Sequence, residues 1–364
     1  MRLLMTTDAV GGVWTYSVTL ARALGVRGWN VTLAVLGPAP SATQRADVHG
    51  AHNCELLLTG LPLDWATEDE RDLVMAGETL ARLASLCGAD LVHLNSPVLA
   101  ADAAFDQPVI GACHSCLASW WSVMRNGPMP PAFQQHRKRL GRGYAACSSL
   151  LAPSRSFADL TARIYGLRPA VVYNGAERGR RFLAEKQTGS ILTAGRLWDE
   201  AKGLHVLARA AGNVASTIYA AGPLEAPHGG DADPGPIVHL GTLDDAAMAD
   251  RLGRTEIFVS CSLYEPFGLT VLEAALAGCA LVLSDIRTFR ELWNGAALFV
   301  PPGNSEALAE ALRTLAGAPE MIAGLGRAAS LRASQYSLEK MVRGTEGLYR
   351  TQLPSLFEAK EVAA

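Results

Sequence analysis

Residues 1–36 read MRLLMTTDAVGGVWTYSVTLARALGVRGWNVTLAVL, and their pattern narrows the fold class at once. Arg2–Thr7 is a short apolar run, Gly12–Gly25 repeats its apolar positions at helical spacing, and Trp29–Leu36 is a second apolar run. Strand, helix and strand within so few residues form a βαβ unit, and its two strands must lie parallel. Parallel strands are covered by helices on both faces, so their sequences are apolar almost throughout.

Beyond residue 36 the alternation continues. A helix is predicted over Glu68–Leu86, strands over Asp90–Asn95 and Pro108–Cys113, a helix near Ala132–Ala145, a strand over Ser149–Pro153, a helix over Ser156–Tyr165 and a strand over Ala170–Tyr173. Between Asn174 and Thr188 the periodicity stops. Asn174-Gly175, the charged run Glu177–Arg181 and Glu185–Gln187 have the composition of a linker. The pattern restarts with strand Ser190–Gly195, helix Lys202–Val214, strands Thr217–Ala221 and Ile237–Leu240, helix Asp244–Leu252, strand Ile257–Cys261, helix Thr270–Ala277 and strand Ala280–Ser284. Ser305–Leu315, Pro319–Ala333 and Ser337–Gln352 read as terminal helices. The expected architecture is α/β, with two doubly wound domains over 1–175 and 176–336. Such domains bind ligands outside the carboxyl ends of their strands, so residues just after strands are the first candidates for function.

Composition excludes several classes. With 364 residues, 49% of them hydrophobic and 18% charged, the chain can bury two cores and lies outside the disordered regime. Net charge is -3, and the first 175 residues hold 14 basic against 13 acidic side chains. Neither half has the basic field that nucleic-acid binding requires. No apolar run reaches the ~20 residues of a membrane span, and residue 2 leads directly into a strand, so a cytoplasmic protein is expected. Seven cysteines, an odd number scattered through apolar segments, fit reduced thiols.

Three strand-end stretches could carry chemistry. Gly11-Gly12 opens the first helix, where backbone amides can approach a phosphate, although a tight turn alone would also call for glycine. Arg196 follows strand Ser190–Gly195, and Lys202-Gly203 comes six positions later. The chain has only five lysines, so one in this loop stands out, and two fixed cations suit an anion such as a diphosphate. The richest stretch is Ser262–Gly278: Glu265 follows a strand, Pro266 and Gly268 shape a turn, and Glu273 lies on the next helix. Thr270-x-x-Glu273 also reads as a capping box, which would explain Glu273 without any ligand.

Glu265-x7-Glu273 around Pro266-Phe267-Gly268, the Arg196…Lys202-Gly203 pair, Asn174-Gly175 and the Gly11-Gly12 turn together resemble the retaining nucleotide-sugar glycosyltransferases of family 4. The match covers essentially the whole chain, in order. The resemblance implies the GT-B fold, two Rossmann-like domains facing across a cleft, with a terminal helix at about 337–364 packing back on the first. It implies that Glu273 binds the ribose, that Glu265 lies beside the donor sugar, and that Arg196 and Lys202 hold the diphosphate. The backbone of Phe267, Gly268, Leu269 and Thr270, with that of Gly11 and Gly12, would complete the cradle. His114, directly after strand Pro108–Cys113, matches the family's N-domain histidine and is expected to position the sugar or the acceptor. The N-terminal domain is expected to bind a hydroxyl acceptor.

By the same resemblance the reaction retains anomeric configuration, with the departing phosphate helping to take the acceptor proton. Arg196, Lys202 and a helix N-terminus can stabilise a leaving pyrophosphate, so no metal and no cofactor beyond the donor substrate are expected. An epimerase or phosphorylase on the same scaffold, or a catalytically silent nucleotide-sugar-binding protein, are the alternatives. An oxidoreductase would need a G-x-G-x-x-G fingerprint, which follows neither first strand. Asp231-Ala-Asp233 has the D-x-D form of a metal-diphosphate site but lies in the Gly- and Pro-rich loop His228–Pro236. Cys113-His-Ser-Cys116 is a C-x-x-C without a second ligand pair, and it is not expected to open a thioredoxin-like helix. Trp120-Trp121 with Arg137-Lys138-Arg139 and Arg142 could make peripheral contact with an anionic membrane, or simply form a solvated helix face.

Overall fold

The computed structural model describes residues 1–67, 69–177, 185–226 and 229–355. Its chain divides into two compact units, one made of Met1–Asn174 and the stretch from Leu338 onward, the other of Gly175–Ser337. Part of the charged linker run, 178–184, lies outside the described residues, as does His228.

The first unit contains β1 (Arg2–Asp8), β2 (Asn30–Leu36), β3 (Cys54–Leu58), β4 (Leu91–Leu94), β5 (Val109–Ala112), β6 (Ser149–Ala152) and β7 (Ala170–Val171). They form one sheet in the order β3-β2-β1-β4-β5-β6-β7, with parallel pairing throughout the described ladders. Leu3, Met5, Val31 and Leu33 from the strands pack with Leu20 and Leu24 of helix Gly12–Val26. The last helix, Leu338–Gln352, adds Met341, Val342 and Tyr349 to this core. Its polar side is pinned as well: Trp29 Nε1 donates to Glu346 at 3.0 Å, and Arg27 bridges Glu339 at 2.6 Å and Glu346 at 2.7 Å.

The second unit contains β8 (Gln187–Ala194), β9 (Ile218–Ala221), β10 (Val238–His239), β11 (Thr255–Ser260), β12 (Ala280–Ser284) and β13 (Leu298–Val300), in the order β10-β9-β8-β11-β12-β13. Ile191, Ile257, Val259, Ala280 and Val282 pack with Leu204, Leu207, Leu308 and Leu312 from helices. Each sheet is therefore doubly wound, with its order reversing once: between β1 and β4 in the first unit and between β8 and β11 in the second.

Several short elements escape the sequence pattern: helix Ala42–Val48, β3, helix Leu117–Met124, helix Arg287–Trp293 and β13. The three helices span eight residues or fewer, less than the window in which a helical period can be recognised, and β13 has only three residues. The predicted helix Lys202–Val214 is shorter in the structure, Leu204–Ala211, because Lys202 closes a preceding 3₁₀ turn and Gly203 is the cap.

Candidate active site

In the second unit the loops after β8 and β11 leave the sheet side by side at its switch point, and both carry charge. Arg196 Nη2 lies 3.4 Å from Asp199 Oδ2, and its guanidinium carbon is 5.7 Å from the Trp198 ring centroid. Its Nε is buried with no hydrogen-bond partner among the described residues. Asp199 has a second task, accepting the Ala201 amide at 3.0 Å and so capping the turn Glu200–Lys202. Lys202 Nζ donates to Glu265 Oε2 at 2.6 Å, with side chains 21% and 14% exposed, which joins the two loops through one ion pair. A backbone bond from the Leu263 amide to the Ala201 carbonyl at 2.8 Å holds them as well. Gly203 makes this approach possible. Its φ is +68°, and a Cβ there would lie 2.4 Å from the Cys261 carbonyl oxygen, so a side chain would push the loops apart.

The loop after β11 ends at Gly268, which caps helix Leu269–Leu276 with φ +90° and no side-chain bond. The helix's own ladder starts with the Leu272 amide on the Gly268 carbonyl at 3.1 Å, so the amides of Leu269, Thr270 and Val271 precede any intrahelical acceptor. This terminus can meet an anion. Phe267 is buried, with its ring edge-on to Tyr336 at 5.8 Å, so its side chain is an anchor and its backbone is what remains for a ligand. The capping box offered as an alternative at Thr270 and Glu273 does not form. With Gly268 as cap, Thr270 is already the second helical residue, and Glu273 stands on the second turn, half-buried.

In the first unit the corresponding loops follow β1 and β4. Gly11 caps helix Gly12–Val26 without a side-chain bond, in extended backbone, while the Val10 amide is turned back onto Asp8 Oδ1 at 2.9 Å. Beside them, β4 is followed by Asn95 and β5 by Cys113-His114. His114 Nε2 is 2.6 Å from Asn95 Oδ1, and its ring meets the edge of Tyr16 at 4.7 Å. Burial pushes the His114 pKa down to about 4, so the ring is neutral at physiological pH. His93, one pleat earlier on β4, is pushed down to about 3, first by burial and then by His114, and its Nδ1 lies 2.6 Å from the Tyr349 hydroxyl. Asn95, Tyr16 and Asp199 are absent from the sequence-based candidates. They carry no motif, and their importance appears only once strand order shows which loops are neighbours.

The remaining motifs have local explanations. Asp233 Oδ1 accepts the Gly235 amide at 2.8 Å, a turn bond, and among the described residues no three His, Cys, Asp or Glu side chains gather as metal ligands. Cys116 caps helix Leu117–Met124, its sulfur 3.3 Å from the Ser119 amide. A helix does follow the C-x-x-C, then, but the motif precedes it, and both cysteines are free thiols. Of the cations on helix Pro131–Ala146, Arg137 donates to the Ile164 carbonyl at 3.0 Å, and Arg139 and Arg142 share Asp102 at 2.6 and 3.1 Å.

The family description Glycosyltransferase Family 4 matches residues 10–180, and Glycosyl transferases group 1 matches residues 188–317. The chain belongs to the family 4 glycosyltransferases. This glycosyltransferase is 26% identical over 399 aligned residues to a glycogen synthase of Mycobacterium tuberculosis, covering 96% of this chain and 94% of the relative. It is also 26% identical over 223 residues to a phosphatidyl-myo-inositol mannosyltransferase of Propionibacterium freudenreichii, covering 56% and 54%. Among solved structures, a sucrose-phosphate synthase from Thermosynechococcus elongatus superposes with a TM-score of 0.79 at 16% identity, covering 99% of this chain and 100% of that one. HepE of Anabaena in complex with UDP-glucose gives 0.74 at 18% identity, covering 96% and 99%. The fold of the glycosyltransferase is GT-B.

Proposed function

We propose that the glycosyltransferase moves a sugar from a UDP- or GDP-sugar to a hydroxyl acceptor, with retention of anomeric configuration and without a metal ion. The observation that carries this reading is the charged switch point of the second unit. Arg196 and Lys202 lie on a loop locked to that of Glu265, and the amides of Leu269–Val271 open the next helix. As the anomeric C–O bond breaks, negative charge gathers on the pyrophosphate, and fixed cations and helix amides stabilise it without reorganising. The Arg196 side chain is 41% exposed and engages Asp199 through Nη2 alone, so the rest of its guanidinium edge is available to a phosphate oxygen. Lys202 is pre-positioned by Glu265, so little side-chain freedom is lost when an anion arrives.

In this reading Glu273 binds the ribose hydroxyls, Glu265 lies beside the donor sugar, and the backbone of Phe267, Gly268, Leu269 and Thr270 cradles the phosphate, while in the first unit Gly11 and Gly12 offer backbone amides to the donor. His114, neutral, hydrogen-bonds a sugar hydroxyl. The acceptor hydroxyl attacks from the side the phosphate leaves, and its proton passes to the departing phosphate oxygen, so the enzyme needs neither nucleophile nor cofactor. The bound UDP-glucose of HepE supports a uridine donor. Seven free thiols fit the cytoplasm, and among the described residues no helix is long and apolar enough to cross a membrane. Contact with an anionic membrane at its inner face would rest on Lys138 and the 47% exposed Val123, since the neighbouring arginines are engaged within the unit.

The test is thermal stabilisation by UDP, GDP and ADP, followed by turnover of the corresponding sugars with NMR assignment of the product anomer. Ligand at 100 Kd should add ~2.7 kcal/mol of stability. An inverted product overturns retention, and donor conversion to an isomeric nucleotide sugar without acceptor indicates epimerisation instead.

A further inference from the structure

The His114 ring has two nitrogens, and its surroundings decide which one carries the proton. Asn95 Nδ2 donates to the Thr6 carbonyl at 2.5 Å and to Ser17 Oγ at 2.9 Å, while the Asn95 backbone amide donates to Thr6 Oγ1 at 2.8 Å. A carbonyl has no proton to give, so the amide nitrogen must face Thr6 and the amide oxygen must face away. That oxygen meets His114 Nε2 at 2.6 Å, and because an amide oxygen only accepts, Nε2 is the protonated nitrogen. It follows that His114 Nδ1 is a bare lone pair. Among the described residues it has no partner, and it is not one of the buried unpartnered atoms, so it reaches solvent. Thr6 and Ser17 are fully buried, so the anchor of Asn95 is part of the core. Tyr16 packs edge-on at 70° and holds the ring plane.

We propose that Asn95 is a positioning residue for the glycosyl transfer: it locks His114 as the Nε2–H tautomer, so that the Nδ1 lone pair accepts a hydrogen bond from a sugar hydroxyl. This rests on the reading of His114 as a substrate contact. It also defines what the site accepts. A hydroxyl can donate to Nδ1, whereas an ether, a fluorine or a phosphate oxygen presents a second lone pair and is repelled. The groups facing His114 are Tyr16 from helix Gly12–Val26 and His93 and Asn95 from β4 and its end, and none of them brings a positive charge at neutral pH.

The tautomer is directly observable. In the full chain labelled with ¹⁵N-histidine, long-range proton–nitrogen spectra should show His114, identified by its loss in His114→Ala, with its proton on Nε2. Asn95→Leu removes the acceptor and should shift His114 toward the Nδ1–H form or a mixture. It should also lower kcat/KM for the donor on the order of ten- to a hundredfold. In a His114→Ala background the same change should add little, because both act through one hydrogen bond. An Nδ1–H ring in the wild-type spectrum overturns the proposal, as does an Asn95→Leu protein with unchanged tautomer and turnover. If Asn95→Leu fails to fold, donor analogues test the wild type instead: replacing the contacted sugar hydroxyl by fluorine should lower kcat/KM at least about tenfold in the wild type and little in His114→Ala, and equal losses in both overturn the proposal. Should His114→Ala leave turnover intact while the spectrum shows Nε2–H, the substrate role of His114 fails and the assignment of the tautomer to Asn95 does not.

Discussion

The two units share a plan and differ in chemistry. Both are doubly wound parallel sheets with their polar residues in the loops at the point where strand order reverses. In the second unit those loops carry full charges: Arg196 is paired with Asp199 on the loop after β8, and Lys202 of the same loop is paired with Glu265 of the loop after β11. In the first, the ends of the neighbouring strands carry neutral groups: Asn95 after β4 is hydrogen-bonded to His114 after β5, and Tyr16 of helix Gly12–Val26 packs against the histidine ring. Scaffold geometry selects where a ligand contact can be placed, and the ligand's own chemistry selects what is placed there. A diphosphate needs cations, whereas a sugar hydroxyl is best met by an uncharged acceptor whose desolvation is cheap.

If the first unit depends on neutral histidines, acid should attack it. His93 and His114 have folded pKa values depressed to about 3 and about 4, below the ordinary 6.5 of an unfolded chain. The unfolded state then binds more protons below pH 6.5, so their contribution to stability is complete above that pH and declines as pH falls through 6.5 toward 4. Each histidine should cost about 1.4 kcal/mol per pH unit over that window. Denaturant titrations of the full chain between pH 7 and 5 should give a slope that becomes shallower in His93→Gln; an unchanged slope would put the acid sensitivity elsewhere.

The charged side breaks differently. On the proposed role of Glu265 beside the donor sugar, Glu265→Gln should lower kcat on the order of 10²–10³-fold, through loss of a charge near the anomeric carbon as that carbon becomes positive. Because Glu265 also holds Lys202, the variant should bind bare UDP or GDP as well as the wild type or more tightly. Arg196→Ala should do the reverse, weakening the nucleoside diphosphate by about ten- to a hundredfold in calorimetry, the worth of a charge-assisted hydrogen bond. Glu273→Gln should raise the donor KM by roughly tenfold or less, one hydroxyl contact, with kcat little changed. Equal losses of nucleotide affinity in Glu265→Gln and Glu273→Gln would erase the division of roles.

The same contrast explains what could be read from the sequence. Apolar strands such as Arg2–Asp8 and Ala280–Ser284 announce themselves, and so do charges in strand-end loops, because Arg196, Lys202 and Glu265 match no local capping or turn pattern in the sequence. Asn95 had every bland reason, an ordinary polar residue at the end of a strand. Its role depends on Thr6, 89 residues away, and on His114, and such pairings appear only in three dimensions. The Lys202–Glu265 pair is similar: each stands out in the sequence as a candidate, but their bond depends on β8 lying next to β11 and on Gly203 allowing the loops to touch. The alternative of a capping box fails for the opposite reason, since Thr270-x-x-Glu273 is a genuine local signal overruled by a left-handed glycine two residues upstream.

The smallest effect expected is none at all, and it tests whether fixed cations replace a metal. Asp231-Ala-Asp233 is the one sequence feature resembling a metal-diphosphate site, and its geometry is that of a surface turn. The Asp231 backbone bridges to Glu225, and Asp233 closes an Asx turn on Gly235. A carboxylate bonded to its own backbone has fewer lone pairs for a metal, and a divalent ion with hard oxygen preference needs several such ligands converging. The paired variant Asp231→Ala with Asp233→Ala should therefore turn over donor at the wild-type rate, and EDTA should leave the rate unchanged. A rate that collapses in EDTA and returns with Mg²⁺ or Mn²⁺ would mean that Arg196, Lys202 and the helix amides do not suffice to stabilise the leaving pyrophosphate. If the aspartate variant remained active in that case, the ion would have to be held by the diphosphate itself, and the charged loops of the second unit would be recognising a metal complex.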